Sequence, residues 1–176
     1  VMNVLRYENS KAEILADIQA PKIFLAGPTV RGNQPHLTSW RFEAIELFDK
    51  MGFKGELIVP EFTVRTESDK GKDWIPIWEF TGLQAADVIL FWIPRTRELI
   101  GLTTNYELGY WVAREREKVI YGRPDDAYRI SYPDIMWKAD AKEGESVDIY
   151  NTLEDTVRVA MDLATKRYIL RTVDFS

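Results

Sequence analysis

The sequence predicts an α/β fold built on a doubly wound parallel sheet with helices on both faces. Three observations predict it. Short apolar runs alternate with amphipathic stretches of helical period. The run over residues 88–93 is apolar without interruption, as a central strand buried on both faces must be. Each run stops at Gly or Pro, at Gly27-Pro28, Pro60, Pro94 and Gly122.

Taken in order, residues 1–20 read as a helical preamble, with Ile14, Leu15 and Ile18 at helical spacing before Pro21. A strand over 23–26 is followed by a polar loop through Pro35 and a helix over 39–51. Ser39 is its expected N-cap, and Phe42, Ile45, Leu47 and Phe48 are expected on its buried side. Gly52 ends that helix, 57–59 form the next strand, and a charged segment runs to Lys72. A helix over 74–86 leads into the central strand, and a loop carrying Arg95, Arg97 and Gly101 leads into a helix over 105–117. A strand over 118–121 closes at Gly122 and Pro124. The stretch to Asp148 is irregular, with one expected strand near 134–137, and a last helix over 152–168 places Leu153, Val157, Ala160, Met161 and Ala164 on one face. About five mostly parallel strands result. The chain of 176 residues suits one domain, 1–176, divided into an N-terminal extension (1–21), a motif-bearing core (22–125) and a C-terminal part (126–176).

Composition narrows the chemistry. Twenty-three Lys and Arg against 28 Asp and Glu leave a net charge of −5, which disfavours a nucleic-acid polymer as partner. There is no Cys and a single His, His36, so thiolate chemistry and a Cys or His metal cluster are excluded; no metal and no cofactor are expected. The longest apolar run falls far short of the roughly 20 residues that cross a bilayer. The first twenty residues carry Arg6, Glu8, Lys11, Glu13 and Asp17, unlike a secretory leader, so a cytoplasmic location with no membrane contact is expected.

In an open α/β sheet the site lies beyond the carboxyl ends of the strands, where strand order reverses. The loops that reach that crevice begin at Gly27, Pro60, Pro94 and Gly122. The first lacks both the G-x-G-x-x-G and the G-x-x-x-x-G-K-[ST] patterns, so nicotinamide and ATP chemistry have no motif. Backbone N–H groups between Gly27 and Gly32, with Pro28 shaping the turn, the Thr29 hydroxyl and Arg31, suit a sugar hydroxyl or a single phosphate; a tight turn with a solvated Arg is the plain alternative. In Thr104-Asn105-Tyr106-Glu107-Leu108-Gly109, Glu107 admits two roles. Thr104-x-x-Glu107 fits a capping box, and a carboxylate near a helix N-terminus, ionised there by the dipole, suits a nucleophile. Glu79, one residue after Trp78, gains meaning as a second carboxylate facing the same crevice. Trp40, Trp74, Trp78 and Trp92 sit near the crevice edges as core or as walls for a flat base. Asp87, at the start of the central strand, belongs to the far end of the sheet and reads as structural.

Five strings in register over about residues 22–125 resemble the nucleoside 2-deoxyribosyltransferase superfamily: Ile23-Phe24-Leu25-Ala26-Gly27-Pro28, Ser39-Trp40-Arg41, Trp78-Glu79, the run from Ala86 to Trp92, and Thr104 to Gly109. The resemblance implies a flavodoxin-like sheet and cleavage of the N-glycosidic bond of a (deoxy)nucleoside or its 5′-monophosphate. It also implies that Glu107 is the nucleophile and that the carboxylate eight residues before Asp87, Glu79, assists at the leaving base. Glu79 departs from the Asp common in the family. Phe24 stands where many members carry a Tyr whose hydroxyl positions the nucleophile. The loop 27–32 is similar to the phosphate loop of the related deoxynucleoside 5′-monophosphate N-glycosidases, whose phosphate-binding serine has no match near Gly101.

The resulting expectation is a retaining N-glycosyl transfer with Glu107 and Glu79 as its catalytic pair. Thr29, Arg31, Thr104 and Asn105 hold the sugar or its 5′ substituent. Phe24, Gly27 and Pro28 complete the binding loop, and Trp40 or Trp78 walls the base. The partners expected are a small-molecule nucleoside or nucleotide, a free nucleobase, and a second copy of the chain in a homo-oligomer. Hydrolysis of 5′-monophosphates is the alternative reaction. A binding module without turnover, or a flavodoxin or phospho-receiver domain, are alternatives of another class.

Overall fold

The computed structural model describes residues 1–11, 19–63 and 73–173. Strands β1 (Asn3–Leu5), β2 (Lys22–Ala26), β3 (Glu56–Ile58), β4 (Val88–Trp92) and β5 (Val119–Gly122) form one sheet in the order β1-β3-β2-β4-β5. Every pairing is parallel. Every residue of β2, β4 and β5 is buried, as their apolar runs require, and Lys22 at the start of β2 is buried with its ammonium paired to Glu56.

Helices α1 (Trp40–Lys50) and α5 (Leu153–Val173) cover one face, packing Ala44, Phe48, Val157 and Ala160 onto Ile23, Leu57 and Val88. Helices α2 (Trp74–Ala85), α3 (Leu102–Glu115) and α4 (Ser131–Ala139) lie on the other, where Trp78, Leu83, Leu108, Trp111 and Trp137 pack onto Phe24, Ile58 and Ile89. The alternation of strand residues between the two clusters is the period-2 rule at work. This is the flavodoxin-like α/β arrangement. Strand order turns at β2, whose neighbours are β3 on one side and β4 on the other.

The structure corrects several expectations. Residues 3–5 are not helical: they form an edge strand paired with β3 in the register Leu5–Ile58. Ile14, Leu15, Ile18 and the charged segment over 64–72 lie outside the described residues. The strand expected near 134–137 is helix α4. A strand would put Ile135 and Trp137 on one face, yet Trp137 is buried and Ile135 exposed, and Tyr121 Oη donates to Asp134 Oδ1 at 2.7 Å to hold the helix against β5. Phe42 is exposed rather than packed under α1, lying 5.9 Å from the Arg6 guanidinium. Ile45, Leu47 and Met161 are half-buried. Ser39 caps α1 as expected, its hydroxyl accepting from the Arg41 N–H at 3.3 Å.

At the amino ends of the strands, Asp87 Oδ2 accepts from the Lys22 N–H at 2.8 Å and from Arg171 Nη2 at 3.1 Å. It ties α5 to the sheet far from the crevice, the structural role its position predicts. Among the described residues no helix is long and apolar enough to cross a membrane.

Candidate active site

The loop after β2 starts with Gly27, where backbone geometry leaves no room for a side chain: a Cβ would stand 2.2 Å from the Trp92 carbonyl oxygen and 2.8 Å from the Trp40 ring. Trp40 Nε1 donates to the Pro28 carbonyl at 3.0 Å. Arg41 lies beneath, 1% exposed, and its guanidinium donates to the carbonyls of Leu25 (3.0 Å) and Gly27 (2.9 Å) and to Thr29 Oγ1 (3.2 Å). The loop is thus fixed from below by one rigid five-donor fork. The Pro28 ring abuts Gly101, the residue preceding α3, so the loop and the amino end of α3 form one wall.

Helix α3 begins at Leu102, with Gly101 as its N-cap in the left-handed region at φ 64° and no side-chain cap. Thr104 is therefore the third helical residue and Glu107 the sixth, which overturns the capping-box reading: the orphan N–H groups that a capping Glu serves lie a turn away. Thr104 is buried against the sheet with Leu108 and Trp111, and Glu107 shares that side of the helix as its i+3 neighbour. Among the described residues the Glu107 carboxylate accepts no hydrogen bond. Burial, and then the Glu79 charge, push its pKa up from 4.5 to about 7, with the Arg41 cation opposing the rise.

Glu79 sits at mid-length in α2, which Gly82 lets approach the sheet closely; a Cβ there would stand 2.9 Å from Ile58 Cγ2 and 3.1 Å from the Phe24 ring. Burial raises the Glu79 pKa, and a hydrogen bond from Tyr7 and the Arg41 charge lower it. Tyr7 Oη donates to Glu79 Oε1. The Tyr7 hydroxyl is itself held protonated far above its ordinary range, by burial first and then by the neighbouring Glu79 charge. Arg41 pairs with Glu61 at 3.5 Å, and its charge also acts on Glu79 and Glu107. Glu61 also accepts from Ser39 Oγ at 2.7 Å.

The sequence argument missed Tyr7 and gave Arg41 and Glu61 no role. Phe24 pairs with Ile58 and Ile58 with Leu5, so these three positions line one row across the sheet; Tyr7, two residues beyond Leu5, continues the same face. A hydroxyl thus enters the site from the edge strand where Phe24 supplies none. Its ring packs between Phe62 (4.8 Å) and Trp78 (4.8 Å, edge-on). Trp78 Nε1 donates to the Ser10 carbonyl at 3.0 Å and Arg6 Nη1 to the Glu61 carbonyl at 3.3 Å, so residues 6–10 are docked onto the site rather than dangling from it. The only cue in the sequence was the missing hydroxyl at Phe24, which says that a donor is wanted but not from where.

The other expected site residues fall into two groups. Glu79, Glu107, Thr29, Gly27, Pro28 and Thr104 converge at the carboxyl ends of β2 and β4, with Arg31 exposed on the loop above. Asn105 lies farther round α3, where its Oδ1 accepts from Arg95 Nη2. Phe24 and Trp78 are buried in the core that supports the pair. A cleft of about 720 Å³ opens on the opposite face, between α1 and the start of α5, with Trp40, Trp92, Leu37 and Leu153 in its wall; the two carboxylates lie outside it. Among the described residues no cluster of His, Cys, Asp or Glu could hold a metal ion.

Two half-buried carboxylates, Glu79 hydrogen-bonded by Tyr7 and Glu107 bare and raised by the Glu79 charge, can divide nucleophilic and proton-transfer work at a single bond. No curated protein matches the chain. Residues 20–125 match the family described as nucleoside 2-deoxyribosyltransferase like, and the match begins after Tyr7 and spans both carboxylates, the Gly27 loop and Arg41. With more than half its length in that match, the chain belongs to the nucleoside 2-deoxyribosyltransferase-like family.

Proposed function

We propose that the protein cleaves or exchanges the N-glycosidic bond of a (deoxy)nucleoside or nucleotide through a covalent glycosyl-Glu107 intermediate. The observation that carries the reading is the pair itself: Glu107 and Glu79 are both half-buried, both have raised pKa values, and both feel the Arg41 charge. Burial raises the Glu79 pKa while Tyr7 and Arg41 lower it, and that of Glu107 rises to about 7, so a substantial fraction of Glu107 is ionised at neutral pH.

In this mechanism the ionised Glu107 oxygen forms a bond to the anomeric carbon as the C–N bond breaks. The electron pair of that bond leaves with the base, and Glu79 supplies the proton that neutralises it. A second base or a water then attacks the same carbon, giving its proton back to Glu79 as Glu107 departs, so two inversions give retention. Tyr7 fixes the Glu79 carboxyl by donating to Oε1, and the uncommitted Glu107 oxygens stay free for the sugar. Thr29, Arg31 and Thr104 hold the sugar and its 5′ substituent, while Trp40 anchors the loop through Pro28. The protein works as a homo-oligomer; exposed Ile77, Phe80, Leu102 and Tyr106 around the pair support a second copy covering it, and light scattering reads the mass.

Incubation with ribo- and deoxyribonucleosides and their 5′-monophosphates, with and without a second free base, tests the reading. Base exchange identifies a transferase and base release alone a hydrolase. Binding of these compounds without either would reject catalysis.

A further inference from the structure

Two buried arginines near the sheet ends have acidic neighbours: Arg41 has Glu61 at 3.5 Å, and Arg116 has Glu145 at 3.5 Å and Asp140 at 4.0 Å. Arg95, on the loop after β4, is 5% exposed and has no carboxylate within 4 Å among the described residues. Its guanidinium reaches the first turn of α3, where Nη2 donates to Asn105 Oδ1, and Nη1 donates to the Arg129 carbonyl at 3.3 Å. Its Nε is buried without a partner. A buried cation without a counter-charge is costly unless something supplies the anion.

The surroundings add charge of the same sign. The guanidinium carbons of Arg97 and Arg129 stand 5.5 and 5.3 Å from the centroid of the Tyr128 ring, and the Tyr128 N–H donates to the Arg95 carbonyl at 2.8 Å. Both side chains are exposed, and neither has an ion pair among the described residues. Three of the acids in the neighbouring loops are engaged elsewhere, Glu98 with His36 at 2.9 Å and Asp125 and Asp134 with Arg123 at 3.1 and 2.8 Å, and Asp126 is exposed with no ion pair to these arginines. The same spot receives the amino end of α3, fourteen residues long and without a side-chain cap, whose dipole and free N–H groups favour an anion. In a chain of net charge −5, three arginines gathered without carboxylates are a local exception.

We propose that Arg95, Arg97 and Arg129, with the amino end of α3, form a subsite for a phosphoryl oxyanion. Arg97 and Arg129 contact the phosphoryl oxygens with their planar forks, and Arg95 supplies the charge beneath and holds Asn105 and the 129 carbonyl in place. The anion is either the substrate's own phosphate or a free phosphate or diphosphate bound beside it. The first source rests on the glycosidic reading above, and the second does not.

Calorimetric titration of the whole chain with pyrophosphate and with inorganic phosphate, at constant ionic strength, tests the subsite without any turnover. The variant is Arg97→Gln with Arg129→Asn, since Asn tolerates the left-handed backbone at 129, where φ is 49°. Lys50→Ala, at the end of α1, is the charge control. Saturable binding by the wild type, weakened at least tenfold in the double variant and unchanged in Lys50→Ala, is expected. Absence of saturable binding of either anion, or equal binding by the double variant, overturns the proposal whatever the protein does to nucleosides. The source follows from activity: if the double variant loses kcat/KM on 5′-monophosphates but not on nucleosides, the phosphate is the substrate's; if anion binding falls and both activities persist, it is a free anion.

Discussion

Replacing Glu107 by Gln keeps the shape of the side chain and removes its charge. In the folded protein the group's pKa rises from 4.5 to about 7, first through burial and second through Glu79. At about 1.4 kcal/mol per pH unit, that rise corresponds to about 3 kcal/mol. The sign follows from linkage: the folded state holds the proton more tightly than the unfolded chain, so the contribution is intact below about pH 4.5 and is lost as pH climbs through about 7. Glu107→Gln never ionises and escapes that loss. Its advantage over the wild type should grow from about 1 kcal/mol at pH 5 to about 3 kcal/mol at pH 8. For a chain of this length that is roughly 6–12 °C in Tm at the higher pH. Urea unfolding at pH 5, 6, 7 and 8 measures the difference, and chromatography of base release on the same samples measures turnover, which should vanish. A Glu serving in a capping box predicts almost no difference at any pH, because Gln fills that position equally well. A stability difference that does not grow with pH would therefore refute the burial argument.

Tyr7→Phe keeps the ring between Phe62 and Trp78 but removes the hydrogen bond that lowers the Glu79 pKa. The alkaline limb of the kcat/KM profile should move to higher pH, the rate should fall roughly 10–100-fold, the scale of one lost hydrogen bond to a charged group, and Tm should drop by several degrees. Gly82→Ala drives a methyl to 2.9 Å from Ile58 Cγ2 and lifts α2 from the sheet. It should cost about 1–3 kcal/mol in urea unfolding and lower kcat, because Glu79 rides on that helix. Asp87→Ala leaves the Lys22 N–H and Arg171 without their acceptor; it should cost about 1–3 kcal/mol and leave kcat at 20 °C as it was.

The central strands were legible because burial on both faces writes an unbroken apolar run, as in 88–93, and the helices between them followed from their period. Element ends were less so: α3 begins at Leu102 because a left-handed Gly101 can start it without a polar cap, whereas Thr104 looks like the better cap by side chain alone. The stretch 134–137 misled because Ile135, Met136 and Trp137 are all apolar, and only the helical twist sends the first two to solvent. In the candidate site, Glu107 was singled out by its expected place in the first turn of the helix after the central strand and by the family resemblance, and Glu79 by the resemblance, which pairs it with Glu107. Tyr7 was not, because it reaches Glu79 from 72 residues away through a three-residue edge strand too short to carry a pattern. Arg41 was hidden for a similar reason: within a helix sequence it reads as a surface cation, and only the fold turns it inward beneath the Gly27 loop.

The most direct test of the account is intact-mass and peptide mass spectrometry of the protein quenched in acid during turnover of whichever nucleoside or nucleotide it cleaves. The account predicts an added glycosyl mass on the peptide containing Glu107, absent from Glu107→Gln and discharged when a free base is supplied. Turnover with inverted configuration and no adduct, or an adduct carried by another residue, would contradict it.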